Sequence, residues 1–144
     1  MQRNKGSKGF SLLELLIVVA IILIIATIAI PSLLRSRQAA NESAAVANLR
    51  TVNTAEVTYL SSSGGNFGTV AQLIGAGLLD SRFTGTVSGY SYGITTTGPD
   101  YTATAGPVST NTGRYGYYSG PDGVVRWSTN AALAPTGQAG NPVQ

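Results

Sequence analysis

The stretch KGFSLLELLIVVAIILIIATIAIP, residues 8–31, decides how this chain is organised. No charged residue occurs from Leu15 to Leu34, and a run of about 20 apolar residues is what a helix needs to cross a hydrocarbon core. The stretch therefore predicts a membrane-length helix. Glu14 stands at its start, where an ordinary membrane anchor or secretory signal would avoid a charge, so this carboxylate needs a functional explanation.

The net charge of +3 comes from the N-terminal end of the chain. Arg3, Lys5 and Lys8 supply three of the nine basic residues, which leaves six arginines against six acidic residues in the rest. This balance predicts no nucleic-acid partner on the basis of charge. By the positive-inside rule, the same three cations predict that this end stays cytoplasmic while the rest of the chain is exported.

The chain has no cysteine and no histidine. Disulfides and thiolate metal sites are thereby excluded, and the commonest general base and metal ligand is missing. We therefore predict a protein that is not an enzyme and uses no cofactor.

One long helix is predicted from Ser11 to about Leu60, in two parts. Residues 10–34 form the transmembrane or assembly part. Residues 35–60 form an amphipathic part that continues into the globular domain, because apolar residues recur there at spacings of three and four. The apolar stripe consists of Ala45, Leu49, Val52, Ala55, Tyr59 and Leu60.

The rest of the chain predicts a small antiparallel sheet, so the expected fold class is α+β. Residues 61–85 form a connecting loop with a short helix from Thr69 to Leu79, in which Thr69 is the N-cap, and residues 86–128 form the sheet. The segment GPDG, residues 120–123, is a strong turn signal that predicts a hairpin. Residues 129–144 are predicted to be a loose C-terminal tail. The small sheet domain is expected to pack on the second half of the long helix.

The combination of Gly9, Phe10, Glu14 and the apolar run resembles the N-terminal signature of type IV prepilins and of the pseudopilins of type II secretion. The resemblance covers roughly residues 3–60. It implies a pilin-like fold and a leader, residues 1–9, that a membrane aspartyl peptidase removes after Gly9. It also implies that the same enzyme methylates the new amine of Phe10. The segment TGRYGYYSGPDGVVRW, residues 112–127, is similar to the C-terminal hairpin of one group of pilin-like proteins.

Glu14 is predicted to act in subunit assembly. The first basic residue after the cut is Arg35, about 30 Å away at 1.5 Å per residue, so the natural cation is the freed amine of Phe10. From the residues alone this amine can belong to the same chain or to a neighbour. The resemblance implies the second, with Glu14 of an incoming subunit attracted to Phe10 of the subunit inserted before it. Such a pair sets the axial register even where its net stabilisation is small.

Pro31 lies inside the predicted helix, where it removes one backbone hydrogen bond and crowds the carbonyl of Thr27. One interpretation is a kink at the membrane boundary. The other, which the resemblance implies, is a weak point at which the helix unwinds locally when subunits pack into a filament.

Two further candidate sites come from the sheet region. Asp122 is a weak candidate for calcium binding, because some secretion pseudopilins bind calcium in a C-terminal loop, but an aspartate before glycine also forms turns. The tyrosines lie at strand spacing, which favours packing over conduction or ligand stacking. These are Tyr90, Tyr92, Tyr115, Tyr117 and Tyr118.

The resulting hypothesis is a structural subunit of a type IV pilus-like filament, and the alternative is a pseudopilin that acts as a secretion piston. The expected partners are other copies of the chain, minor pilins, prepilin peptidase, an inner-membrane assembly platform with its ATPase, and membrane lipid before assembly. The expected location is the inner membrane, with one span and the globular domain outside the cytoplasm. After assembly it is an extracellular or periplasmic filament.

Overall fold

The computed structural model describes residues 9–129 and 140–143. The chain divides into two compact units, Met1–Arg35 and Ser36–Gln144, and the helix α1 (Leu12–Ser62) contributes residues to both. The predicted leader lies outside the described residues except for Gly9. Most of the predicted tail, residues 130–139 and 144, lies outside them as well.

In the first unit, α1 is apolar on every side. Its large side chains are exposed, from Leu12 with 80% of its surface accessible to Leu33 with 72%. A helix that is apolar all round is stable only in lipid or in a bundle of helices. α1 is also the one helix in the described part of the chain that is long and apolar enough to cross a membrane.

In the second unit, the rest of α1 forms one side of the hydrophobic core. Ala45, Leu49, Val52 and Ala55 are buried, as the predicted stripe requires, and Tyr59 packs against the core while partly exposed. Their spacings of three and four place these side chains on one face of the helix. α1 then ends at Ser62, close to the predicted end.

Within the described residues, six antiparallel strands form the sheet, and each strand pairs with the one before it in the chain. The predicted α+β fold class, with a long N-terminal helix and a small antiparallel sheet, is confirmed. The strands are β1 Thr86–Val87, β2 Tyr90–Thr96, β3 Tyr101–Pro107, β4 Gly116–Ser119, β5 Arg126–Ser128 and β6 Asn141–Pro142.

The predicted hairpin is also confirmed, because β4 and β5 pair with Tyr117 opposite Trp127. The turn between them is closed by a hydrogen bond from Gly123 N–H to the carbonyl of Gly120. Gly123 has a φ of 70°, a conformation that favours glycine. A local turn signal and two short apolar runs were therefore enough to predict this part of the sheet.

Aromatic pairs fill the space beneath and beside the strands. The ring centroids of Tyr115 and Trp127 are 4.9 Å apart, and those of Phe83 and Tyr92 are 5.2 Å apart, both edge to face. Tyr90 is completely buried. These contacts agree with the predicted packing role of the tyrosines.

Two segments differ from the sequence-based expectation. The short helix α2, Val70–Gly75, has Thr69 as its N-cap as predicted, but it ends before the expected Leu79. It ends there because Gly77 adopts a φ of 70° and lets the N–H of Leu78 bond to the carbonyl of Leu73. A turn of 3-10 helix, Ser81–Thr84, then leads into the sheet.

The second difference is at the C-terminus, where Asn141–Pro142 forms β6 instead of a loose tail. Arg126 faces Pro142 and Trp127 faces Asn141 across the β5 to β6 pairing. The N–H of Val143 donates to the carbonyl of Val125 at 2.8 Å, and the Val143 side chain packs on the core. The β5 to β6 pairing, the bond from Val143 and its apolar side chain thus hold residues 141–143, whose composition indicated a loop.

Gly113→Ala is expected to destabilise the second unit by about 1–3 kcal/mol, the usual cost of overpacking a core. A Cβ at this position would overlap the hydroxyl of Tyr90 and lie 2.6 Å from its Cζ. That hydroxyl is fixed by its hydrogen bond to the carbonyl of Tyr115, so it cannot move away freely. Gly106→Ala is the control, because its Cβ would meet no atom of the described residues within 4 Å. Urea unfolding followed by Trp127 fluorescence measures both, and equal midpoints would contradict the packing described for Gly113.

Candidate assembly site at the helix N-terminus

The predicted processing and assembly residues lie just before α1 and in its first turn. Gly9 and Phe10 precede the helix in extended or irregular conformation, and the Phe10 side chain is 79% exposed. Gly9 is also exposed, and a Cβ placed on it would meet no atom of the described residues within 4 Å. The peptide bond between them is therefore sterically accessible. Cleavage at this bond and methylation of Phe10 remain predictions.

Glu14 is bound within its own chain. Its Oε2 accepts the backbone N–H of Ser11 at 3.0 Å, and the Oγ of Ser11 accepts the N–H of Leu13 at 3.3 Å. This arrangement is a variant of the capping box: Glu14 reaches back to the N–H of the N-cap serine, while the serine caps the N–H of the second helical residue instead of the third. This arrangement was not predicted, although the S-x-x-E spacing of residues 11–14 is its usual signal.

The capping box adds a structural role to Glu14. A carboxylate in the first turn also interacts favourably with the positive end of the helix dipole. The pairing of Glu14 with the Phe10 amine of another copy stays a prediction, because the structure contains one chain.

Pro31 lies within α1, which continues through it as an α-helix to Ser62. The hydroxyl of Thr27, four residues earlier, donates to the carbonyl of Ile24 at 2.7 Å. A proline has no N–H to offer the Thr27 carbonyl. The backbone ladder is thus interrupted near Pro31 without ending the helix, and local unwinding at this point stays a prediction.

Asp122, the weak calcium candidate, lies in the turn between β4 and β5. Its Oδ1 accepts the N–H of Val124 at 3.1 Å, and its Oδ2 lies 2.6 Å from the guanidinium of Arg126. The hydrogen bond from Arg126 lowers the pKa of Asp122 below its ordinary value. Within residues 9–129 and 140–143, no group of three or more acidic residues is placed to hold a metal ion. The carboxylate therefore has the contacts of a turn-forming aspartate.

A set of polar side chains on the second half of α1 was not predicted. We call this set the polar clamp, because its members bind the backbone or side chains of the sheet and its loops. It consists of Gln38, Asn41, Glu42, Asn48, Asn53 and Glu56.

Glu42 makes the most extensive contact of the polar clamp. Its Oε1 accepts the backbone N–H of Arg114 at 2.8 Å and the Nε–H at 3.1 Å, while its Oε2 accepts from Nη2 at 2.9 Å. Hydrogen bonding to Glu42 raises the pKa of Arg114 above its ordinary value. The two-pronged geometry is one that arginine and carboxylate favour. It fixes the loop before β4 on the helix.

Glu56 is a buried acid with one partner. It is 0% exposed, its Oε2 accepts the N–H of Gly68 at 2.9 Å, and its Oε1 has no hydrogen bond within the described residues. Burial raises the pKa of Glu56, and the bond from Gly68 only partly opposes this. The side chain therefore holds the loop before α2, and the folded unit favours its neutral form.

Glu56→Gln is expected to remove a pH dependence of stability. Because the folded pKa of Glu56 lies above its ordinary value of 4.5, the folded state holds this proton more tightly, and stability falls as the pH rises through the folded pKa. The loss is about 1.4 kcal/mol for each unit by which the folded pKa exceeds the unfolded one. Glutamine keeps an oxygen that accepts from the Gly68 N–H but carries no charge. The stability of the Glu56→Gln variant should therefore stay level over the pH range in which Glu56 loses its proton.

Other shifted groups act outside this range. Arg126 lowers the pKa of Asp122 below 3.8, so the stabilisation from Asp122 is lost only in stronger acid. Burial raises the pKa of Tyr90 and Tyr101 above 10.0, so the stabilisation from these tyrosines is lost only in base. Tyr101 also contributes charge repulsion with Glu56 when both are ionised. Urea unfolding over a pH series measures the slope, with the exposed Asp100→Asn as control. An identical slope in wild type and Glu56→Gln would show that Glu56 does not titrate in this way.

Comparison with known proteins supports the interpretation of the N-terminal segment. Residues 4–30 match the prokaryotic N-terminal methylation motif. The chain is 43% identical over 58 residues to the type IV major pilin protein PilA of Myxococcus xanthus, which is 40% of this chain and 26% of that protein. It is 51% identical over 45 residues to the type IV wide pilus major component PilA4 of Thermus thermophilus, which is 31% of this chain and 34% of that protein.

Gly9, Phe10, Glu14 and the start of the apolar helix all lie in the segment that these comparisons match. The methylation motif and the two relatives confirm that this N-terminal segment resembles that of type IV pilins. The chain spans about a quarter to a third of the length of these relatives. No solved structure matches the chain.

Proposed function

We propose that this chain is a structural subunit of a type IV pilus-like filament, which polymerises through α1 after removal of its leader. The methylation motif over residues 4–30, joined to an apolar helix, is the observation that carries the proposal. Both relatives are major pilus components, which favours a pilus over a secretion pseudopilus. The chain acts as a building unit and not as an enzyme, and it needs no cofactor.

Assembly begins in the membrane. Prepilin peptidase cuts after Gly9 and methylates the amine of Phe10, and the bilayer then holds the apolar part of α1 until an assembly platform with its ATPase extracts it. The exposed apolar surface of residues 12–34 exchanges lipid for the helices of other subunits. Because these side chains stay away from water throughout, one segment serves both as membrane span and as polymerisation element.

Glu14 sets the register of each added subunit. Its carboxylate lies at the start of the apolar run, where an unpaired charge is costly once water is excluded. The Phe10 amine of a neighbouring copy supplies the opposite charge. Minor pilins with the same signature enter the filament by the same pairing.

The second unit stays folded during this transfer. The polar clamp joins α1 to the sheet through directed hydrogen bonds, in addition to the apolar core. A force applied along α1 is therefore resisted by hydrogen bonds to the loops before α2 and β4, in addition to side-chain packing. The second unit lies outside the cytoplasm before assembly and is part of the extracellular or periplasmic filament afterwards.

Electron microscopy of sheared cell-surface material tests the proposal. Cells that contain the subunit should show long external filaments that an antibody against this chain labels along their length, and cells without it should lack them. Loss of protein secretion with no external filament in either case would instead support the pseudopilin function.

A further inference from the structure

The loop between β3 and β4, residues 108–115, is bound to α1 at three successive points. These are Glu42 to the Arg114 N–H at 2.8 Å, Asn41 to the Thr112 carbonyl at 2.8 Å and Gln38 to the Thr110 carbonyl at 2.7 Å. Going back along the loop from residue 114 to 110 therefore means going back along the helix from residue 42 to 38. The second unit begins at Ser36, so the middle of this loop lies at the end of the unit where α1 enters it.

This end of the second unit is close in the chain to the apolar run. Gln38 comes four residues after Leu34, so the two positions are about 6 Å apart along the helix axis. A bilayer is about 40–45 Å thick with a hydrocarbon core of about 30 Å, which leaves about 5–8 Å of headgroups on each side. When residues 15–34 span the hydrocarbon core, the β3–β4 loop is therefore at the level of the headgroups.

The side chains at this end have the chemistry that a headgroup layer requires. Arg37 is exposed and takes part in no ion pair with the described residues. The Val108 side chain is 51% exposed, and the neighbouring Asn111 is exposed as well. Residues 35–42 and 107–114 contain one acidic residue, Glu42, and its charge is neutralised by Arg114. The end is thus cationic, with an apolar side chain beside the charge.

We propose that the second unit docks on the headgroups of anionic phospholipids through this end, before assembly. Arg37 binds lipid phosphate, and Val108 enters the boundary between headgroups and acyl chains. The contact holds the second unit against the outer surface of the membrane, and extraction into a filament breaks it. It rests on the proposed function in one respect, because it requires that the bilayer holds α1 before extraction.

Fluorescence quenching by lipid tests this contact. Because the chain has no cysteine, one introduced cysteine carries a unique label. The full chain is placed in vesicles of phosphatidylcholine and phosphatidylglycerol that also contain a lipid with a quencher on its headgroup. The label in Asn111→Cys should be quenched severalfold more than the label in Ser62→Cys, because Ser62 is about 36 Å further along α1 than Gln38. Equal quenching at both positions would overturn the proposal.

Substitutions in the labelled Asn111→Cys chain test the two docking residues. Arg37→Gln should lower the ratio of quenched to unquenched label about fivefold, which corresponds to the ~1 kcal/mol that a basic residue near an anionic surface contributes. Leaving out phosphatidylglycerol should also lower this ratio. Arg50→Gln is the control, because Arg50 is exposed on the same helix but further from the apolar run. The same ratio in wild type and Arg37→Gln would overturn the proposal.

A second pair of variants tests the apolar part of the contact. Val108→Asp should lower the ratio as well, since it places a negative charge against anionic lipid. Val57→Asp is its control, because Val57 is 61% exposed and lies near the other end of α1. Equal ratios in these two variants would overturn the placement of Val108 in the membrane surface.

Other occupants of this end give different results. Energy transfer between labels on different chains, in place of quenching by lipid, would show that a second copy covers the loop and would overturn the proposal. A chain that does not insert into the vesicles would contradict the proposed membrane stage of the function as well. An inserted chain with an unquenched label in Asn111→Cys would contradict the docking alone.

Discussion

Asn53→Ala is expected to lower the free energy of unfolding of the second unit by about 3–5 kcal/mol. The Asn53 Oδ1 accepts the hydroxyls of Tyr101 at 3.0 Å and Ser119 at 2.8 Å, and its Nδ2 donates to the carbonyl of Gly123 at 3.2 Å. Tyr101 and Ser119 are almost completely buried. Alanine leaves the two buried hydroxyls of Tyr101 and Ser119 without this partner, and each unsatisfied buried group costs about 1–3 kcal/mol, whereas the exposed Gly123 can bond to water.

Asn48→Ala is the matched control for this change. Asn48 lies on the same helix and is equally buried, but its side chain makes one hydrogen bond, to the hydroxyl of Tyr92 at 2.9 Å. Its loss should cost about 1 kcal/mol. Urea unfolding of the full chain in detergent micelles, followed by Trp127 fluorescence, compares the two variants. Similar losses in both would mean that Asn53 does not connect the helix to the sheet as described.

Glu14→Ala is expected to reduce incorporation into filaments by about a hundredfold to several thousandfold. Removing one partner of an ion pair in a water-excluded interface costs about 3–5 kcal/mol, because the other charge stays behind unpaired. The variant should still insert into the membrane, since the apolar run from Leu15 to Leu34 is intact. Its second unit should unfold at the same urea concentration as wild type.

Asp100→Asn separates this effect from a simple change of net charge. Asp100 is exposed in the loop between β2 and β3, and replacing it removes the same single negative charge. Membrane fractionation and the amount of subunit in sheared filaments measure both variants. Normal filament yield from Glu14→Ala would contradict the pairing with Phe10.

The parts of the fold that could be predicted from the sequence are those specified by near neighbours. The apolar stripe of α1 shows in spacings of three and four, and the hairpin shows in the turn of residues 120–123. The capping of α2 by Thr69 has a local signal as well. In each case the residues that interact are within a few positions of one another.

The polar clamp could not be predicted because its partners are far apart in the chain. Glu42 and Arg114 are 72 residues apart, and Asn53 and Tyr101 are 48 apart. The sequence of a helix does not distinguish a glutamate or asparagine that binds the sheet from one that faces solvent. Only the position of the sheet decides which of them is buried. Residues 141–143 were misjudged for the same reason, because the N–H of Val143 bonds to the carbonyl of Val125, which precedes β5.

The candidate assembly site shows the same division. Gly9, Phe10, Glu14 and the apolar run were visible as a motif, and the comparison with known proteins matched that segment. The bond between Ser11 and Glu14 has its own local signal, a serine three residues before a glutamate, and it gives the carboxylate a structural partner within the chain. The partner of its other oxygen, Oε1, depends on the assembly.

Mass spectrometry of the mature N-terminus tests the central claim most directly. The account predicts that the chain isolated from membranes or filaments begins at Phe10 and carries a methyl group on its amine, with residues 1–9 absent. Both processing and the supply of a cation for Glu14 depend on this one cut. A mature chain that begins at Met1, with an intact leader, would contradict the account.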